Sequence, residues 1–252
     1  MMNNKRIAGV FACFGFLMAA VNTRADVVFG FSQGDLDATA TFVAAGDTLT
    51  VTLQNTASVD VSAPEDVLTG VFFDIDGLVG SLTRVSAILT DLSGTPVLFG
   101  AGLGDTGLGY HAGGDIGSEA GYRTGAFAEG GVGDHAIGHV GMDDFMGQLT
   151  PFDPDDDHNL QGPVSMSLAG IEYGLVNALY TGGGNSPLDG PNALITTGVE
   201  YTFTGFSGFS EGDIGNVWFN YGTEFNPIPA PSAALLAMIG VPMIGWVKRR
   251  FA

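Results

Sequence analysis

Asp153, Asp155, Asp157 and Asn159 place four oxygen-bearing side chains at alternate positions of one short segment. A loop with that spacing can wrap a hard cation, since calcium collects roughly 6 to 8 oxygen ligands. The segment is not an EF-hand, because its sixth position is His158 instead of glycine and its twelfth is Val164 instead of glutamate. Two readings stand side by side here, a calcium site and a solvated acidic loop stiffened by Pro154. Asp74-Ile75-Asp76-Gly77 also gathers carboxylates, but it serves equally well as a strand end followed by a turn.

His135 and His139 are four apart, which on a helix would set both imidazoles on one face, as zinc requires. Gly131, Gly133, Gly138 and Gly141 argue against a helix there, and no glutamate follows His135 as a zincin base would. Gly102-Leu103-Gly104-Asp105-Thr106-Gly107 has the spacing of a dinucleotide loop, yet no helical pattern follows to hold a pyrophosphate, and a plain loop results. Gly205-Phe206-Ser207-Gly208-Phe209 lacks the last glycine of a nucleophile elbow, so a hydrolase has no defensible nucleophile. Tyr201, Phe203, Phe206, Phe209, Trp218, Phe219 and Tyr221 crowd one region; on alternating strands most belong to a core, and an exposed remainder could stack on sugars.

The elements that must position these groups read as strands. Period two dominates from Asp26 onward, and no window keeps the helical spacing of apolar residues for long. Residues 27–31 and 39–43 are β-rich, residues 48–53 alternate threonine with aliphatics, and Gly46-Asp47 makes the turn between the last two. Residues 67–75 are apolar on both faces and close on Asp76-Gly77, which predicts a central strand with a tight turn after it. Residues 82–90 and 96–99 continue the pattern.

Glycine is so frequent over residues 100–147 that loops are expected, with strands around 122–127 and 135–140. Residues 164–168 and 171–180 regain apolar character. Val199, Tyr201 and Phe203 alternate with polar neighbours, and residues 216–221 form the last strand. Roughly ten strands, with turn signals every 8 to 12 residues and no helical crossovers, predict an all-β fold, an antiparallel β-sandwich with glycine-rich loops.

Charge narrows the partners. All 27 acidic residues fall within residues 26–231, where Arg84 and Arg123 are the only basic ones, leaving a formal charge of −25 and no lysine. Such a surface excludes nucleic acid, whose phosphates demand a basic face. It suits solubility in salty water, or the binding of divalent cations. The single cysteine, Cys13, lies near the start, so residues 26–231 have no disulfide and depend on an apolar core or on ions.

Both ends carry targeting signals. Lys5 and Arg6 precede an apolar run over 7–21, and Thr23-Arg24-Ala25 sets small residues at −3 and −1, which predicts a signal peptide over 1–25 cut after Ala25 by signal peptidase. A bulky Phe11 in Val10-Phe11-Ala12-Cys13, and the apolar run past it, speak against a lipoprotein box. At the other end Pro229-Ala230-Pro231 precedes a 15-residue apolar run over 233–247, broken by Pro242 and closed by Lys248, Arg249 and Arg250. At about 1.5 Å per residue this short hydrophobic helix falls short of the ~30 Å hydrocarbon core, a weak anchor whose basic end stays in the cytoplasm. One domain over 26–226 is expected between the signal helix and this tail over 227–252.

That tail resembles the PEP-CTERM sorting signal of bacterial surface proteins, with Ala230 where the family has glutamate. The resemblance implies processing by the membrane protease exosortase and transient inner-membrane anchoring. Residues 49–57 (LTVTLQNTA), 66–74 (DVLTGVFFD), 171–175 (IEYGL) and 217–223 (VWFNYGT) are similar to the recurring blocks of XDD-type exosortase-dependent proteins. This implies a surface role and carries no catalytic residue with it.

The expected function is thus an exported, non-enzymatic protein of the cell surface or extracellular matrix, structural or adhesive, with exopolysaccharide among its partners. The alternatives are a calcium-dependent carbohydrate-binding module and, behind it, a secreted hydrolase.

Overall fold

A computed structural model of the chain describes residues 26–90, 98–99, 114–117, 119–125, 132–139, 160, 171–185, 188 and 194–231. Asp153, Asp155, Asp157 and Asn159, the Gly102–Gly107 segment, Ala25, and Lys248 with Arg249 and Arg250 lie outside these residues.

Two five-stranded antiparallel sheets pack face to face as a β-sandwich. The first runs β1 (Val27–Gln33), β2 (Leu36–Ala45), β3 (Thr48–Asn55), then β10 (Gly198–Thr204) and β5 (Thr83–Leu89). The second runs β12 (Ile228–Pro229), β11 (Ile214–Tyr221), β4 (Leu68–Ile75), β8 (His135–Gly138) and β7 (Gly121–Thr124). A small ladder joins β6 (Leu98–Phe99) to β9 (Leu194–Ile195).

Local chemistry sets the register. Ala45 faces Thr48 across a two-residue turn in which Gly46 takes φ 66°, a left-handed value that glycine adopts without a Cβ penalty. In β3, Leu49, Val51, Leu53 and Asn55 point inward and the threonines outward, as the alternation predicts. β4 is the middle strand of its sheet and is buried on both faces, which is why its sequence carries almost no polar alternation. The turn after it closes with Leu78 N–H donating to Ile75 O at 3.1 Å.

The glycine-rich region supplies β7 and β8, paired from Gly121 opposite Gly138 to Thr124 opposite His135. Gly133 shows why glycine is needed: its φ is 102°, and a Cβ there would stand 2.9 Å from the Phe73 backbone. Only a residue without a side chain lets the chain approach β4 this closely before β8 begins.

Aromatic rings from both sheets meet in the core. Phe42 of β2 packs edge-on to Phe73 of β4 at 5.1 Å, Phe31 of β1 meets Phe219 of β11 at 6.3 Å, and Tyr122 of β7 meets Phe203 of β10 at 4.8 Å. Each such ring taken from water contributes roughly 1.5–3 kcal/mol, so with no disulfide in residues 26–231 these contacts carry the fold.

Residues 171–180 are turns, with Leu175 forming isolated bridges to Leu68 and Ile195. Ile171, Val176 and Tyr180 from this segment form a second cluster with Val61, Val67, Leu188 and Leu194. Buried amides hold this segment in place: Asn55 Nδ2 donates to Leu175 O at 3.1 Å, and Asn177 Nδ2 donates to Ala57 O at 3.0 Å. Apolar character there reports burial under a loop.

Candidate functional site

The histidines are core groups held by tyrosines. His135 lies on β8 and stacks on Phe73 at 5.3 Å. The Tyr122 hydroxyl accepts the Leu82 N–H at 3.0 Å and sits 2.8 Å from His135 Nδ1. The hydroxyl thus links the Leu82 backbone to the imidazole, tying the start of β5 to β8. His139 lies just past the end of β8, and its Nε2 bonds the hydroxyl of Tyr201 on β10.

Burial lowers the pKa of both imidazoles, to about 3 for His139, and raises that of both tyrosines. Burial thus disfavours the charged form of both rings, most strongly in His139. Among the described residues no group of three His, Cys, Asp or Glu side chains is arranged to hold a metal ion.

Among the described residues, Glu119 carries the carboxyl most strongly shifted by its surroundings. It precedes β7 with 5% of its surface exposed, and its buried Oε1 has no hydrogen-bond partner among the described residues. Burial first, and the charge of Glu172 second, push its pKa up to about 7. Burial also raises Glu172, in the turn at 171–173. Burial and the neighbouring negative charge together favour the neutral, protonated form of Glu119. The sequence offers no sign of this pair, because 53 positions and a change of loop separate its members.

The aromatic residues of the last strands are mostly core: Tyr201, Phe203, Phe206 and Phe219 are fully buried and Tyr221 nearly so. Trp218 is half-buried, and its indole Nε1–H donates to Asn216 Oδ1 at 2.8 Å. Asn216 Nδ2 donates to Asp74 Oδ2 at 2.9 Å, and Asp74 Oδ1 accepts the Asp134 N–H at 2.6 Å. Asn216 holds φ 47°, a left-handed value that asparagine tolerates better than most residues, where the β11–β4 register slips. Trp218, Val217, Phe29, Pro229, Ala230 and Pro231 line a groove of about 440 Å³ at the open edge of the sandwich.

No family model, curated protein or solved structure matches the chain. In the sandwich, residues 49–57, 66–74, 171–175 and 217–223 adjoin in space. Asn55 of the first donates to Leu175 of the third, Leu68 and Leu175 exchange backbone hydrogen bonds, and Asn220 of the fourth donates from Nδ2 to Thr69 Oγ1 at 3.0 Å.

Pro229, Ala230 and Pro231 sit on the edge of the second sheet. Ile228 faces Phe219, Pro229 faces Trp218, and Ala230 N–H donates to Val217 O at 2.8 Å. An edge is where a strand tolerates proline, which has no N–H to donate. Ser207 of the Gly205–Phe209 turn is exposed and donates its backbone N–H to Asp47 Oδ1 at 3.2 Å. Among the described residues no helix is long and apolar enough to cross a membrane.

Proposed function

We propose that the protein is an exported, non-enzymatic component of the cell surface or extracellular matrix, its acidic sandwich delivered by a signal peptide and sorted through its C-terminal tail. The observation that carries the reading is the junction. The last strand of the sandwich is Ile228–Pro229, and the apolar run of the sequence begins four residues later at Ala233. The folded body is coupled to the apolar run with almost no linker, so the sandwich is presented next to a membrane until an exosortase-type protease releases it. The histidines that the sequence offers for chemistry serve as buried hydrogen-bonded ties between strands, in keeping with a structural or adhesive role.

Intact-mass analysis of envelope and medium fractions from a host with an exosortase tests this. The expected mature chain starts at Asp26 and ends near Pro231. A full-length chain extractable only by detergent would overturn the reading.

A second reading, a carbohydrate-binding module, is favoured by one observation: Trp218 is half-exposed beside an edge groove, its indole held by Asn216, which in turn donates to Asp74. An aromatic face fixed in this way is a suitable platform for a sugar ring. A glycan array with wild type and Trp218→Ala separates it from the first reading.

A further inference from the structure

The segment that carries the sorting motif is already engaged as a strand. Ile228 and Pro229 pair antiparallel with Phe219 and Trp218, and the Ala230 N–H continues the ladder onto Val217 O at 2.8 Å. Ile228 and Ala230 pack half-buried against the main core, with Pro229 exposed between them. The approach to the strand is tied down as well, since Asn220 accepts the Asn226 N–H on Oδ1 at 3.0 Å and donates from Nδ2 to Glu224 O at 3.1 Å.

Enzymes and domains that bind a peptide as an extended strand do so through its backbone N–H and C=O groups, with alternate side chains in pockets. The Ala230 N–H and the side chains of Ile228 and Ala230 already have partners in the sandwich. We infer that the fold masks its own processing signal: a peptidase can engage residues 228–231 only after β12 detaches from β11, so hydrolysis, which adds one water across the cut bond, follows an opening of the sheet edge. This rests on the reading of the tail as a sorting signal. The two-residue length of β12 suits it to the task, because so short an edge strand opens without unfolding the sheets behind it. Sheet pairing then acts as a brake, and release depends on whatever pulls β12 away, the processing enzyme itself included.

The test uses the full-length chain in detergent micelles and a prolyl endoprotease that accepts whole proteins and cuts after proline. When opening is fast relative to cutting, the rate tracks the open population, so Ile228→Asp, which replaces the apolar anchor by a charge, should speed cutting after Pro229 by about tenfold or more. Near-UV circular dichroism verifies that the sandwich stays folded. Equal rates in the two folded proteins would overturn the inference. Hydrogen exchange on the wild type alone decides the matter should the variant not fold: a protected Ala230 amide supports masking, and exchange at the rate of a free peptide refutes it.

Co-expression with an exosortase separates this inference from the reading beneath it. If neither protein is processed while Ala230 stays protected, the sorting reading falls and the masking remains. If both are processed equally fast, sorting stands and masking falls.

Discussion

His139 and Tyr201 bond across the interior of the sandwich, tying the end of β8 in one sheet to the middle of β10 in the other. Both side chains are fully buried, so the bond forms where neither partner has water as an alternative. A bond of that kind is felt through the cost of leaving one partner alone more than through its own strength.

Replacing Tyr201 by Phe leaves His139 Nε2 buried and unpaired, and should lower unfolding stability by about 1–3 kcal/mol. Tyr221 offers the control, because its buried hydroxyl has no hydrogen-bond partner among the described residues. Tyr221→Phe should therefore be neutral within about 0.5 kcal/mol, or stabilising. Urea unfolding of both variants checks the contrast, and equal losses would show that ring packing governs both sites.

The pH response should have two opposed limbs. His139 has a folded pKa near 3 against an ordinary 6.5, so the unfolded chain takes up its proton first and stability is lost as pH falls from 6.5 toward 3; His135 acts in the same direction. Glu119 works the other way. Its folded pKa near 7 against 4.5 means the native state holds a proton the unfolded chain has released, so stability is lost as pH rises from 4.5 through 7. Glu119→Gln should then leave stability near pH 4 unchanged and raise it at pH 8 by at most ~3 kcal/mol. Melting curves of both proteins from pH 4 to 8 would refute this if their difference did not vary with pH.

Gly133→Ala should be among the most damaging single changes. The new methyl would sit 2.9 Å from the Phe73 backbone at φ 102°, so neither a side-chain rotation nor a local shift relieves it. The overlap and the unfavourable φ together should cost about 2–4 kcal/mol. Gly34→Ala, at a φ of 62° inside the small left-handed region that L-residues can enter and with open space around the Cβ, should cost clearly less.

How much of this was legible depends on the range of each interaction. β3 and β10 alternate because each has one wet face, and β4 does not because both its faces are covered, so all three can be read from residue types alone. Residues 171–180 are as apolar as a strand, yet they are turns, since a buried cap and a buried strand draw on the same residue types. The Tyr201 bond to His139 spans 62 positions, and no local pattern marks either end. A two-residue strand such as β12 has no period to detect, although proline's preference for sheet edges was a usable clue at Pro229. The proposed calcium ligands lie outside the described residues, so that expectation rests on spacing alone.

A body with two arginines against 27 carboxylates and no disulfide should respond strongly to ions. Self-repulsion weakens the compact state at low ionic strength, and either screening or bound cations restores it. The two mechanisms differ in dose: screening needs tens to hundreds of millimolar sodium, whereas a formed loop site answers to calcium near 10⁻⁴–10⁻³ M, roughly the range of extracellular modules. The expected outcome is that screening supplies most of the gain and that Asp153, Asp155, Asp157 and Asn159 add a smaller calcium-specific part. Melting curves in sodium, magnesium and calcium, for wild type and for Asp155→Asn with Asp157→Asn, measure the two parts separately. A millimolar calcium gain that exceeds magnesium's and disappears in the double variant establishes the loop site. If calcium does no more than magnesium and the double variant melts like wild type, the loop is solvated charge, and the sandwich is held by its aromatic core with screening alone to relieve its surface.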